Sequence, residues 1–166
     1  MTRTMIESET AMIESKRLAY NDRKLSDAAL DGLFGGLAGG VAMGAYLVIW
    51  GLAAGRGPGA VLGLFDPGER SVALNGALTH LAVASVYGIL FGLIWWMLRR
   101  TLRLGLPTWL AGAVYGLALL LAAMVVVLPS AGSPLAAIPT LHFAVAHVIY
   151  GVVLGRLSER IGGRAV

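Results

Sequence analysis

Three histidines, His80, His142 and His147, stand inside long stretches that carry no Asp, Glu, Lys or Arg. A titratable ring in hydrocarbon is by default a functional candidate. Imidazole donates, accepts and titrates near neutral pH, so two rings at one depth could bind a proton, contact a quinone or ligate a haem b from both faces. His80 falls about eight residues into one stretch and His147 about nine into another that runs the same way, which places both roughly 12 Å below one membrane edge. His142 lies nearer the surface. It is five residues from His147, about 140° around a helix, so the two are poor ligands for one metal.

The set is incomplete for most chemistry. No carboxylate accompanies the histidines in the apolar stretches, and a proton relay or cation pathway lacks its usual parts without one. The chain has no cysteine, which excludes disulfides, thiolate catalysis and cysteine-ligated zinc or iron–sulfur centres. The simplest reading of the three rings is neutral hydrogen bonding between helices, alongside Asn75, Thr79, Ser85, Tyr87 and Tyr150. The cofactor reading rests on His80 and His147, with His142 as the alternate ligand.

The elements that must position these rings follow from composition. Of 166 residues, 57% are apolar and 13% charged, and the mean hydropathy is +0.77, which excludes a soluble globular enzyme. Crossing about 30 Å of hydrocarbon takes roughly 20 apolar residues. Uncharged stretches run over 32–55, 71–98 and 104–155. The last is long enough for two crossings, and Pro129-Ser130-Ala131-Gly132-Ser133-Pro134 breaks it in the middle. An all-α integral membrane fold of four transmembrane helices is expected, near 30–52, 72–98, 108–129 and 138–157, as one domain over 27–166.

Basic residues orient the spans. Arg3, Lys16, Arg17, Arg23 and Lys24 precede the first span, Arg99, Arg100 and Arg103 follow the second, and Arg156, Arg160 and Arg164 follow the fourth. Only Arg56 and Arg70 fall on the other face. Both termini are therefore expected in the cytoplasm. This division into short flanks explains the isoelectric point of about 9.9 without nucleic acid, and it suits contact with anionic lipid headgroups. A cleavable leader is not expected, because ten charged residues from Arg3 to Asp27 precede the first apolar run. Within the tail, 1–26, Met5-Ile6-Glu7-Ser8 returns as Met12-Ile13-Glu14-Ser15, and Ala19-Tyr20 continues the spacing of seven. That period suits an amphipathic helix against a membrane or a partner. Ser26, Asp27 and Asp31 suit the start of the first span, giving a cap oxygen and negative charge to free amides.

Glycine is the commonest signal inside the spans. Gly32, Gly36, Gly40 and Gly44 recur every fourth residue in span one, Gly88 and Gly92 in span two, Gly112 and Gly116 in span three, and Gly151 and Gly155 in span four. Such spacing lets helix backbones approach closely, within one chain or between copies. The chain also repeats itself. His80-Leu81-Ala82-Val83-Ala84-Ser85-Val86-Tyr87-Gly88 matches His142 to Gly151 with one insertion, and Leu37-Ala38-Gly39-Gly40-Val41 echoes Leu110-Ala111-Gly112-Ala113-Val114. Two copied helical hairpins are expected, related by an axis along the membrane normal.

The long first loop, Gly55 to Arg70, is apolar at its centre, and Val61 to Phe65 is expected to dip into the interface. It lacks the Gly-Lys-Ser or Gly-Lys-Thr of a phosphate loop. Trp50, Trp95, Trp96 and Trp109 cluster at span ends, where amphipathic rings favour the headgroup region.

The Gly-rich first span reaching beyond Met43, His80 followed by Tyr87-Gly88 and Gly92, Pro129 closing span three, and His142 or His147 followed by Tyr150-Gly151 and Gly155 resemble a loose family of small, uncharacterised bacterial four-span membrane proteins. The likeness covers roughly residues 30–157. It implies the four-span topology and a bacterial inner membrane, and it carries no activity.

By elimination, the expected function is that of a non-enzymatic accessory or structural subunit. It would pack in a larger membrane complex or homo-oligomer through its glycine faces, with the lipid bilayer and protein subunits as partners, no nucleic acid and no cofactor. The alternatives are a haem- or quinone-binding redox protein using His80 and His147, and a small oligomeric transporter built from the repeated hairpins.

Overall fold

A computed structural model describes the backbone of residues 2–68, 70–102, 106–129 and 134–162, and within those ranges the side chains of Met12 and of residues 25–159. Helix α1 runs over Thr2–Ala53, the short α2 over Pro58–Gly63, α3 over Ala73–Leu102, α4 over Thr108–Ala122 and α5 over Thr140–Gly162. Among the described residues no strand occurs, and four helical stretches are long and apolar enough to cross a membrane: Leu25–Ala53, Ala73–Leu102, Thr108–Val127 and Thr140–Glu159. The chain is a multi-pass, all-helical membrane protein.

The helices exceed the stretches expected from hydropathy at their charged ends. Helix α1 runs without a break through the expected start of span one near 30, and α3 continues to Leu102, past the expected end of span two near 98. Hydropathy stops at the first charge, whereas a helix of 30 residues measures about 45 Å and projects beyond the hydrocarbon, where arginine heads reach water. Span four begins at Thr140, two residues after its expected start, because a 3-10 turn over Pro134–Ala137 precedes it. Span three ends in a π-turn over Ala123–Val127, closed by Leu128 N–H donating to the Ala123 carbonyl at 2.9 Å. Residues 130–133 of the hairpin and the tail side chains that carry the period of seven, Met12 excepted, lie outside the described residues.

Glycine sets the helix order. A Cβ on Gly32 or Gly36 would collide with the α3 backbone at Gly88 and Ala84, and a Cβ on Gly92 with the Ala28 carbonyl. On the other hairpin, Gly112 and Gly116 abut the backbone at Gly151 and His147, and Gly155 abuts Thr108. Two antiparallel seams result, α1 with α3 and α4 with α5. A third contact joins them: Gly39 meets Tyr150, and Gly35 meets Leu154 and Ser158, so α1 also packs on α5. The pairings place the start of span one and the end of span four at one end of the bundle, here the terminal end. The opposite end carries α2 and is the loop end.

The repeat of hairpins is present in these seams with a different register in the first helix of each. Gly32 and Gly36 face Gly88 as Gly112 and Gly116 face Gly151. Gly39, which the sequence echo pairs with Gly112, instead faces Tyr150 on α5. The echo uses small residues common in any span, whereas the seam selects only those whose Cβ would strike a neighbour.

Candidate functional site

The three histidines gather toward the loop end, each held by a different device. His80 on α3 turns to α1, where the spacing of small residues leaves the Gly40 carbonyl accessible. Its Nε2 donates to that carbonyl at 2.9 Å, and Phe65, from the loop after α2, covers the ring at 4.5 Å between centroids. His142 on α5 also turns to α1. Its Nδ1 shares a hydrogen bond of 2.9 Å with the Tyr46 hydroxyl, and its ring lies 5.2 Å from that of Trp50. His147 is buried, and its Nδ1 donates to the Phe143 carbonyl one turn back on its own helix at 2.8 Å. That bond fixes the tautomer and leaves Nε2 as the accepting atom.

His80 and His147 share a level. His80 touches α1 between Gly40 and Gly44, and His147 lies one turn toward the loop end from Tyr150, which meets Gly39. His142 stands more than a turn nearer the loop end. A haem b held by His80 and His147 does not fit this arrangement. The Nε2 that His80 would offer to iron is bonded to the backbone of α1, and Phe65 occupies the space beside the ring. Among the described residues no three of His, Asp or Glu converge as a metal site requires.

The loop closes the cluster. Val61 is fully buried against Gly51, and the Leu62 carbonyl meets Gly76 at the start of α3. The apolar centre of the loop therefore folds onto the bundle through α2. Asp66 anchors it. Buried at 5% exposure, its carboxylate accepts from Gly68 N–H at 3.0 Å and from Val72 N–H at 2.7 Å, so it orders the turn and caps the entry to α3. Asp66 had no role in the sequence-based reading. The Asp66-Pro67-Gly68 pattern was the available signal, since Asp commonly accepts from amides that follow it in a turn.

Polar ties continue below the histidines. The Tyr150 hydroxyl donates to the Ala84 carbonyl at 2.7 Å, joining α5 to α3, and the Tyr115 hydroxyl donates to the Tyr87 carbonyl at 2.9 Å, joining α4 to α3. Of the glycines expected at packing faces, Gly32, Gly36, Gly88, Gly92, Gly112, Gly116, Gly151 and Gly155 abut backbone of this same chain, and Gly40 abuts the Ala84 side chain. Gly44 differs, because its Cβ would meet only the His80 ring at 3.6 Å, an ordinary contact.

The tryptophans mark the two ends. Arg99 lies over Trp95, Arg100 over Trp96 and Arg156 over Trp109 at the terminal end, and Arg56 over Trp50 at the loop end, all at 5.4–5.5 Å. Indole faces attract guanidinium at the depth where both favour the headgroup layer.

The sequence pattern described as Family of unknown function (DUF6789) matches residues 26–165. No curated protein and no solved structure matches the chain.

Proposed function

The chain belongs to the DUF6789 family of unknown function, and from that premise we propose that it is a non-enzymatic accessory or structural subunit of a larger membrane assembly or a homo-oligomer. We place it in a bacterial inner membrane with both termini in the cytoplasm, on the asymmetry of its basic residues. One observation carries the reading. The buried polar side chains around the histidines use their hydrogen bonds to hold backbone and neighbouring helices, as His80 does on Gly40 and Tyr150 on Ala84. A frame tied in this way acts through its surface. Its glycines serve internal seams, so a partner would meet the exposed apolar flanks, such as Phe34, Leu37 and Val41 on α1 or Val125 and Val126 beyond α4.

A redox reading keeps one specific support, the His147 imidazole whose Nδ1 is fixed by Phe143 and whose Nε2 could accept from a reduced quinone. Mild detergent extraction from the native membrane at endogenous expression separates the readings. The subunit reading expects a particle well above the 17.3 kDa of one chain, of defined composition, without visible absorbance of its own. A single chain carrying a haem-like band lost in His80→Ala or His147→Ala, or a bound quinone lost in His147→Ala, would overturn it.

A further inference from the structure

We propose that the opening between α3 and α4 at the terminal end binds the phosphate of an anionic phospholipid. The two helices approach here through aromatic side chains, without a glycine seam. Tyr115 reaches the Tyr87 carbonyl at 2.9 Å, and its ring lies 5.2 Å from that of Phe91. Periodicity extends this face toward the terminal end. Trp95 follows one turn after Phe91, stacked parallel to it at 6.3 Å, and Thr108 lies two turns before Tyr115 on the facing side of α4.

Both residues are buried, Trp95 at 9% exposure and Thr108 at 1%, and neither Trp95 Nε1 nor Thr108 Oγ1 has a hydrogen-bond partner. Ser158 Oγ, on α5 at the same end, is likewise unpartnered. Buried donors without acceptors are costly and rare. Ser158 Oγ faces α1, 3.2 Å from where a Cβ on Gly35 would lie, so two of these donors, on the facing helices α3 and α4, point to an acceptor supplied from outside the chain.

Charge indicates which acceptor. The exposed Arg99 guanidinium lies over the Trp95 ring at 5.5 Å, and Arg156 over Trp109 on α4 at 5.5 Å. From Ser71 to Ser158 the sequence contains no Asp or Glu, so among the described residues α3 and α4 bring only the basic Arg99 and Arg100 to this end. The acidic groups at this end are Asp27 and Asp31 on α1, which packs on α3 where Ala28 meets Gly92, and the exposed Glu159 on α5. An indole N–H, a hydroxyl and a guanidinium can all donate, and they match phosphate oxygens. Basic niches between spans, level with the headgroups, take anionic lipids in this way. A phosphodiester would draw Arg99 from the Trp95 ring and reach the donors beneath it. Its acyl chains would lie along Leu90, Ile94 and Tyr115, on the flank where no backbone seam closes α3 to α4. A choline headgroup would add a cation to a basic site and is disfavoured.

The test uses the full chain in nanodiscs of phosphatidylcholine alone or with phosphatidylglycerol, read by retained lipid in native mass spectrometry and by thermal unfolding. Phosphatidylglycerol is expected to be retained about 10-fold better than phosphatidylcholine, because both offer the phosphate but only choline brings a cation against the arginines. It should also raise the melting temperature. Trp95→Phe and Thr108→Val should each lower the retention of phosphatidylglycerol several-fold, while melting in phosphatidylcholine no earlier than the unaltered chain. Should either variant unfold, Arg99→Gln at the exposed position carries the same decision through lost preference. Equal retention of the two lipids by the unaltered chain, or phosphatidylglycerol retention unchanged in Trp95→Phe and Thr108→Val, would overturn the proposal. So would inorganic phosphate raising the melting temperature in phosphatidylcholine as far as phosphatidylglycerol does, which would mark a free-anion site.

Discussion

At the loop end, Asp66, His80, His142 and His147 each have a hydrogen-bond partner within the chain. At the terminal end, Trp95, Thr108 and Ser158 present buried polar atoms that have none. Both ends belong to the same four helices and meet similar solvent, so the difference lies in what closes them. The loop between α1 and α3 folds back and supplies Phe65 and Asp66 to the cluster, whereas α3 and α4 meet at the terminal end without a glycine seam. One end is finished by the chain itself, and the other is built to be finished by something the chain meets.

The largest expected effect would erase the comparison by parting the helices on which both ends depend. Gly88→Leu and Gly151→Leu place a side chain where the opposing backbone already lies, and each is expected to cost about 3 kcal/mol or more of stability. Unfolding in graded SDS measures this, with Gly57→Ala as a neutral reference because a Cβ there meets nothing. Gly44→Ala belongs to the same series of fours as Gly36, yet it should be tolerated, since its new methyl meets the His80 ring at ordinary distance. Equal damage at Gly36 and Gly44 would show that spacing, not contact, governs the seam.

Next in size is Asp66→Ala, which would break the finished end by leaving Gly68 and Val72 amides without their acceptor. A loss of about 2 kcal/mol is expected, read as earlier thermal unfolding, together with faster proteolysis in the loop around Arg56. Tyr150→Phe and His80→Phe should cost less, about 1 kcal/mol each, because hydrogen bonds between spans are modest even in lipid. Parallel thermal unfolding of the two single variants and their double tests whether they act as separate ties, in which case the losses add.

The smallest effect sharpens the contrast by reversing sign. Trp95→Phe and Thr108→Val remove polar atoms that nothing satisfies, so in a neutral bilayer each should leave stability within about 0.5 kcal/mol or raise it. A loss as large as that of Asp66→Ala would mean that the terminal end is as fully bonded as the loop end.

Much of the fold was legible because its signals are local. Charge gaps located four spans, Pro129 and Pro134 divided the longest stretch, and Gly32, Gly36, Gly112 and Gly116 stood out as small residues at helical spacing. The candidate site was half legible. His80, His142 and His147 stood out as rings in hydrocarbon, but their pairing with Gly40, Tyr46 and Phe143 did not, since a carbonyl has no sequence signature and Tyr46 is 96 residues from His142. Trp95, Thr108 and Ser158 gave no common signal. Each reads alone as an interface aromatic or an ordinary small polar residue, and only the packing shows that nothing satisfies them. The π-turn at Ala123–Val127 likewise has no marker in a run of Ala, Met and Val.

The sequence by itself determined the solvent of this protein, the number of its crossings and the two hairpins sealed by small residues. Those properties depend on sums of transfer energy and on side-chain size along a single helix. The tertiary structure decided which glycine meets which backbone, which carbonyl receives each ring, and which polar atoms are left over. These follow from how the helices are rotated and shifted against one another, and a shift of one turn changes every such pairing while leaving each helix as apolar as before.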